Sequence, residues 1–218
     1  MDQPFPHTAA PQPLAADEIH LWFCEFSAGP DMRAQAQRLL LYLLSAYCGR
    51  PVGHTDLSMG EHGKPYLAGG PGFNLSHCGS AAVVALAPAL ELGVDLERPG
   101  RRRPHAELAR RFFCPREADA VAAAEGAARE DVFLQLWTAK EAVLKALGRG
   151  LAFGLERLEF AAGAPAQLLH IAADGGEARH WQVHGLDVAA PWNGHVAWYG
   201  QARRLRRFCL SPQALAQA

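Results

Sequence analysis

An excess of charge of either sign is missing from this 218-residue sequence, in which 21 Lys and Arg stand against 22 Asp and Glu. A protein held to nucleic acid through its phosphates carries a basic surplus, so the balance argues against that partner. No apolar run approaches the roughly 18 residues that read as a membrane span. The opening MDQPFPHTAAPQPLAADE has neither the basic nor the apolar region of a signal peptide, and residues 1–17 are expected to be a disordered, proline-dotted leader. Metal-binding spacings are missing too. The five cysteines, Cys24, Cys48, Cys78, Cys114 and Cys209, are odd in number and form no CxxC, and the ten histidines form no HExxH. Reduced thiols in the cytoplasm are the expectation, and a histidine-built metal site is not.

What is present is a mixture of strand and helix signals in both halves. EIHLWFCEF (18–26) alternates as a strand, and residues 32–48 are rich in helix formers and end at Gly49. Residues 80–87 read as a buried strand, and ELGVDLE (91–97) as a strand whose Asp95 and Glu97 share one face. Beyond the basic, proline-bearing RPGRRRPH, helices are expected over 107–113, 115–124 and 129–147, with Pro115 at a first helical position. LERLEFAA, AQLLHIAA, RHWQVHGL and HVAWYG then supply strand candidates. The pattern is that of an α+β or α/β protein. A junction near residue 100 would divide it into subdomains 18–100 and 101–218.

Three charges stand out in WTAKEAVLKALGRG (137–150). At 100° per residue Lys140 shares an arc with Phe133, Leu136, Val143, Leu144 and Leu147, where a core side chain belongs, while Glu141 and Lys145 lie in the adjoining quarter with Trp137 and Thr138. One reading is a snorkelling lysine beside a Glu141–Lys145 i,i+4 ion pair worth roughly 0.2–0.5 kcal/mol. Asp95 and Glu97 are like charges on one strand face and call for a cation, or for arginines such as Arg98 and Arg101 to Arg103. A hard ion such as Mg²⁺ takes one or two carboxylates plus water and phosphate, and Glu141 could face it from the helix. Lys64 in a GKP turn, with Ser76 and His77 ending FNLSH, has the parts of a phosphate cradle, though each residue also has an ordinary surface or packing role.

The succession GKPYL, FNLSHCGSAAVVALA, ELGVDLE, RRFFCPREADAV and FLQLWTAKEAVLKALGRGL resembles the 4′-phosphopantetheinyl transferase superfamily, in particular its longer, surfactin-synthetase-activating branch. The likeness runs from about Gly63 to Leu151. It implies an α+β fold of two similar subdomains in a pseudo-twofold arrangement, acting as a monomer, with the active site in the cleft between them. It also implies transfer of the phosphopantetheine arm of coenzyme A to a serine of an apo acyl or peptidyl carrier protein, with release of 3′,5′-ADP. Carried over by motif, Asp95, Glu97 and Glu141 bind Mg²⁺ (or Mn²⁺), and Glu141, Lys145 and Asp95 are catalytic. Lys64, Ser76, His77, Lys140 and Lys145 contact coenzyme A, and Glu117 has a supporting role. The third motif ends in Cys78 where serine is usual. The N-terminal basic contacts of longer members reduce here to Arg33, Arg38 and Arg50, and the carrier surface falls near residues 98–113. The competing reading of the same residues is a metal-dependent phosphoesterase acting on a nucleotide-like substrate.

Overall fold

The computed structural model describes residues 11–26, 31–100, 103–161 and 164–216, so residues 1–10 of the expected leader and Arg101 and Arg102 lie outside the described residues. Strand β1 (Glu18–Glu25) and helix α1 (Met32–Cys48) form where hydrophobic spacing places them. Helix α1 opens on Asp31, whose carboxylate accepts the Ala34 N–H at 2.9 Å, and stops at Gly49 in the left-handed region (φ 63°). The GKP turn joins the short strands β2 (Leu57–Met59) and β3 (Pro65–Leu67). Strands β4 (Gly72–Cys78), β5 (Ala81–Ala87) and β6 (Leu92–Glu97) follow. Next come helices α2 (His105–Phe112), α3 (Pro115–Ala123) and α4 (Gly126–Leu147), the last starting three residues before the expected 129. The remainder is β7 (Leu158–Ala161), β8 (Ala164–Ile171), β9 (Trp181–Gly185), β10 (Asn193–Tyr199), β11 (Arg204–Cys209) and α5 (Pro212–Ala216).

The mixed strands and helices make an α+β protein in four layers. Helix α1 covers one face of the sheet β11-β1-β5-β4, through Leu39, Leu43 and Leu44 against Trp22, Val84 and Leu86. The other face of that sheet packs on the sheet β6-β10-β9, Leu21, Val83 and Ala85 meeting Val94, Val196 and Trp198. Helix α4 lies on the far side of the second sheet, with β7-β8, α2 and α3 around it. At about 25 cal/mol per Å² of apolar surface removed from water, the two-sided burial of β1, β5 and β6 is what holds the layers together.

Two expectations are corrected here. The leader was expected to reach residue 17, yet Leu14 packs on the α1 cluster, the Ala16 carbonyl accepts from Arg203, and Asp17 pairs with Arg204 at 3.1 Å. Residues 14–17 therefore belong to the fold. Nor does a cut at residue 100 separate the sheets. Strand β6 lies before it but pairs with β10 (Asp95 opposite His195), while β11 lies after it and returns to run parallel to β1 (Glu18 opposite Arg204). Each half lends the other a strand.

The site depends on the seam where β4 meets β6. These neighbours share no backbone ladder; instead Asn74 Oδ1 accepts the Val94 N–H at 2.9 Å and Ser76 Oγ accepts the Leu96 N–H at 3.2 Å. Side chains two apart on β4 thus satisfy the amides that β6 would otherwise bury unpaired. On the other side of β6, helix α4 comes so close that a Cβ on Gly93 would sit 2.1 Å from the Ala142 carbonyl oxygen and 2.4 Å from the Ala146 nitrogen. Only glycine permits that approach.

Candidate active site

The close contact of α4 with β6 brings residues 141 and 145 over Asp95. The Lys145 ammonium donates to Asp95 Oδ1 at 2.7 Å, to the Val94 carbonyl at 3.0 Å and to Ser76 Oγ at 3.1 Å. Ser76 Oγ in turn donates to Asp95 Oδ1 at 2.9 Å. The second carboxylate oxygen, Asp95 Oδ2, is buried with no hydrogen-bond partner among the described residues. Such an oxygen is costly unless something positive reaches it. Glu97, two residues on, accepts from Cys78 Sγ at 3.2 Å and lies 3.7 Å from Arg103. Glu141 completes the group electrostatically. Burial, with the charges of Asp95 and Glu97, pushes its carboxyl up to about 7 against the opposing pull of Lys145. The i,i+4 ion pair expected on the helix is replaced, because Lys145 turns to Asp95 instead.

Lys140 does not join this cluster. It is 0% exposed, and its three donors go to Glu117 Oε2 (2.7 Å), the Leu155 carbonyl (2.9 Å) and the Leu158 carbonyl (2.5 Å). Its expected role against coenzyme A, and the snorkelling alternative, both give way to a structural one: the side chain points into the core arc that periodicity assigns it, and finds a carboxylate there. Burial holds the Lys140 ammonium below the ordinary lysine range, with Glu117 opposing. Glu117 is equally committed. Its Oε1 accepts the Phe160 N–H at 2.8 Å, and its Oε2 also accepts the Cys114 N–H at 3.2 Å as a helix cap. The aromatic residues of the same motifs are packing too, Phe113, Phe133 and Trp137 lying face to face.

Behind Asp95 the sequence reading missed a contact. Thr138 Oγ1 donates to the Leu134 carbonyl at 2.8 Å, so its remaining capacity receives the Nδ1–H of His195, 2.8 Å away on β10. Burial lowers the His195 imidazole to about 4, so it stays neutral and ties α4 to the strand beside β6. Nothing in the motif pointed to it, since its partner lies 57 residues earlier.

At the other end of the β6–α4 contact lies a cavity of about 590 Å³, lined by residues 60–62, 64–67, 70–73, 89–91 and 147–149. Lys64 forms its wall. Its ammonium donates to Glu91 (2.5 Å), to the Leu92 carbonyl (3.0 Å) at the start of β6 and to the Ala146 carbonyl (3.3 Å), one residue past Lys145. A second cavity of about 760 Å³ shares residues 70, 71 and 89 with the first and carries Arg50. His77 is exposed on β4. The structure therefore gathers Asp95, Glu97, Glu141, Lys145 and Ser76, places Lys64 at the adjoining cavity, and leaves Lys140 out.

A family model described as the 4′-phosphopantetheinyl transferase superfamily matches residues 91–198, which contain the acidic cluster and all of α4. The 4′-phosphopantetheinyl transferase HetI of Nostoc is 31% identical over 191 residues, covering 71% of this chain and 80% of that protein. The chain belongs to the 4′-phosphopantetheinyl transferase superfamily. Within it, a Synechocystis protein provisionally named as such a transferase is 37% identical over 142 residues, 62% of this chain and 56% of that protein's length. The 4′-phosphopantetheinyl transferase of Bacillus subtilis is 35% identical over 115 residues, 51% of this chain and 49% of that protein. The residues matched by the family model contain β6 and α4.

Proposed function

We propose that this chain transfers the 4′-phosphopantetheine arm of coenzyme A to a serine hydroxyl of an apo carrier protein, releasing 3′,5′-ADP. The observation that carries the reading is the buried Asp95 Oδ2, without a hydrogen-bond partner among the described residues, beside Lys145, with Lys64 fastened to the same strand and helix at the Leu92 and Ala146 carbonyls. Family membership and the names of the relatives support it.

A cation fits this donor set. Among the described residues no three His, Cys, Asp or Glu side chains are gathered closely enough to enclose an ion by themselves. Mg²⁺, with Mn²⁺ as a substitute, takes one or two carboxylates and leaves other positions to water and phosphate. Of Asp95 (through Oδ2), Glu141 and Glu97, two would hold it directly and the third through water, and when bound it supplies neutralising charge for a pyrophosphate.

The chain's own groups account for the rest. Lys64 and Lys145 flank the seam with ammonium groups suited to phosphate oxygens, and the exposed Glu91 can leave Lys64 as coenzyme A arrives. The serine oxygen bonds to the phosphorus that carries pantetheine, the bridging P–O bond breaks, and its electron pair stays on 3′,5′-ADP, beside Lys145. Glu141 takes the serine proton. The carrier meets the surface around residues 98–113, where Arg103, Arg110 and Arg111 suit an acidic helix. The same reading makes the chain a cytoplasmic monomer of the longer, surfactin-synthetase-activating branch.

Incubation with coenzyme A, Mg²⁺ and a panel of apo acyl, peptidyl and aryl carriers, read by intact mass and nucleotide analysis, tests the proposal. Transfer gives a carrier heavier by one phosphopantetheinyl group together with 3′,5′-ADP. Free phosphopantetheine with unmodified carriers would instead establish a phosphoesterase.

A further inference from the structure

The serine of the FNLSH segment reads most simply as a phosphate contact, but its hydroxyl has nothing left to offer one. A hydroxyl has one hydrogen and two lone pairs. Ser76 is 7% exposed; its hydrogen goes to Asp95 Oδ1 at 2.9 Å, and its lone pairs receive the Leu96 N–H at 3.2 Å and the Lys145 ammonium at 3.1 Å. Two of the three partners lie on β6, the strand that carries Asp95, and the third is the lysine of α4 that pairs with Asp95. An arriving phosphate would have to break one of these bonds.

We propose that Ser76 is a positioning residue: it fixes the Asp95 carboxylate with Oδ1 engaged and the buried Oδ2, without a hydrogen-bond partner among the described residues, left as a cation ligand. The inference rests on the transferase reading above and assigns Ser76 to the metal side of the site, where that reading's motif would place it on coenzyme A. The geometry has two parts. The hydroxyl holds Oδ1 directly, and it also holds the Lys145 ammonium on that same oxygen (2.7 Å), which keeps Lys145 from competing for Oδ2. The neighbouring Asn74 supplies an internal control. It satisfies a β6 amide as Ser76 does, accepting the Val94 N–H at 2.9 Å, and its side chain has no hydrogen bond with Asp95. Loss of Asn74 therefore disturbs the seam alone, whereas loss of Ser76 disturbs the seam and the carboxylate.

The test compares wild type, Ser76→Ala, Ser76→Thr and Asn74→Ala by two readouts. One is turnover, resolved into KM for coenzyme A and the Mg²⁺ concentration giving half-maximal transfer. The other needs no turnover: the rise in melting temperature on titrating Mn²⁺ into the free protein. Loss of a hydrogen bond to a metal ligand weakens metal affinity by about 10–100-fold. Ser76→Ala is expected to need about tenfold or more additional metal in both assays, with KM for coenzyme A within about twofold of wild type. Ser76→Thr, which keeps the hydroxyl, restores most of the metal requirement, and Asn74→Ala lowers the metal-free melting temperature while leaving that requirement unchanged. A tenfold rise in KM for coenzyme A at unchanged metal requirement would overturn the inference in favour of a phosphate contact. So would an equal metal shift in Asn74→Ala, or a wild-type melting temperature that Mn²⁺ does not raise. If the wild type modified no carrier, the transferase reading would fail, and the Mn²⁺ melts would still decide the role of Ser76.

Discussion

Lys140 and Lys145 are the same residue type on one helix, five positions apart, and do opposite work. The difference is one of angle. Lys140 lies on the arc that meets α3 and the segment before β7, where Glu117 and two carbonyls enclose it; Lys145 lies toward β6, where Asp95 is. Periodicity in the sequence does put Lys140 on the core arc, so its burial was legible. Its partner was not, because Glu117 lies in another helix and only packing brings the two together. Breaking a buried ion pair by removing one member costs about 3–5 kcal/mol. Lys140→Met should therefore lower unfolding free energy by about that amount in urea titrations, and the double variant with Glu117→Gln should recover part of the loss. Lys145→Ala should do the reverse, leaving stability within about 1 kcal/mol of wild type and abolishing most turnover. A catalytic defect in folded Lys140→Met as deep as that of Lys145→Ala would place Lys140 back in the site.

At the scale of elements, catalysis depends on how closely α4 lies on β6. The sequence shows the strand, its two carboxylates on one face and the helix with its acidic and basic residues. It does not show the contact, which rests on the absence of a side chain at Gly93. Gly93→Ala should lift α4, destabilise the fold by about 1–3 kcal/mol as overpacking does, and reduce turnover further than the stability change explains, since Glu141 and Lys145 ride on the displaced helix. Equal melting temperatures and equal turnover would refute the close-contact account. Lys64 ties the β2–β3 hairpin to the ends of β6 and α4, and Lys64→Ala is expected to raise KM for coenzyme A about tenfold or more, with kcat little changed, as for a group that binds substrate and transition state alike. Strand β11 was also hidden from the sequence. Its RLRRFC carries three arginines, and it reads as a strand only once Arg204 and Arg206 are seen paired with Asp17 and Glu18 along β1.

Across the whole molecule, the exchange of strands ties the two halves together, and the seam where β1 meets β11 is one of the places where it is sensitive to acid, along with buried His195. His20 is buried there, faced by Glu18 on its own strand (3.1 Å), by Tyr47 from α1 (2.6 Å) and by Arg206 and Phe208 from β11. Burial holds its imidazole below the ordinary value of 6.5, while the hydrogen bond from His20, aided by Arg206, holds Glu18 below 4.5. Once unfolded, both groups regain their ordinary affinity for protons. As pH falls through 6.5 the unfolded chain takes a proton that native His20 refuses, and below 4.5 it takes another on Glu18. The unfolded state binds more protons in both windows, so stability falls on acidification. The melting temperature is expected to decline from about pH 6.5 downward, with a shallower decline in His20→Gln; an unchanged slope in that variant would remove His20 from the account.

The central claim is that the acidic group on β6 and α4, with Lys145, drives transfer of a phosphopantetheinyl group, and intact mass of an apo carrier tests it most directly. Wild type with coenzyme A and Mg²⁺ should add the mass of one phosphopantetheinyl group. Asp95→Ala and Glu141→Gln, shown to be folded by their melting curves, should slow that addition by about 100-fold or more. A carrier modified at the wild-type rate by Glu141→Gln or by Asp95→Ala would contradict it.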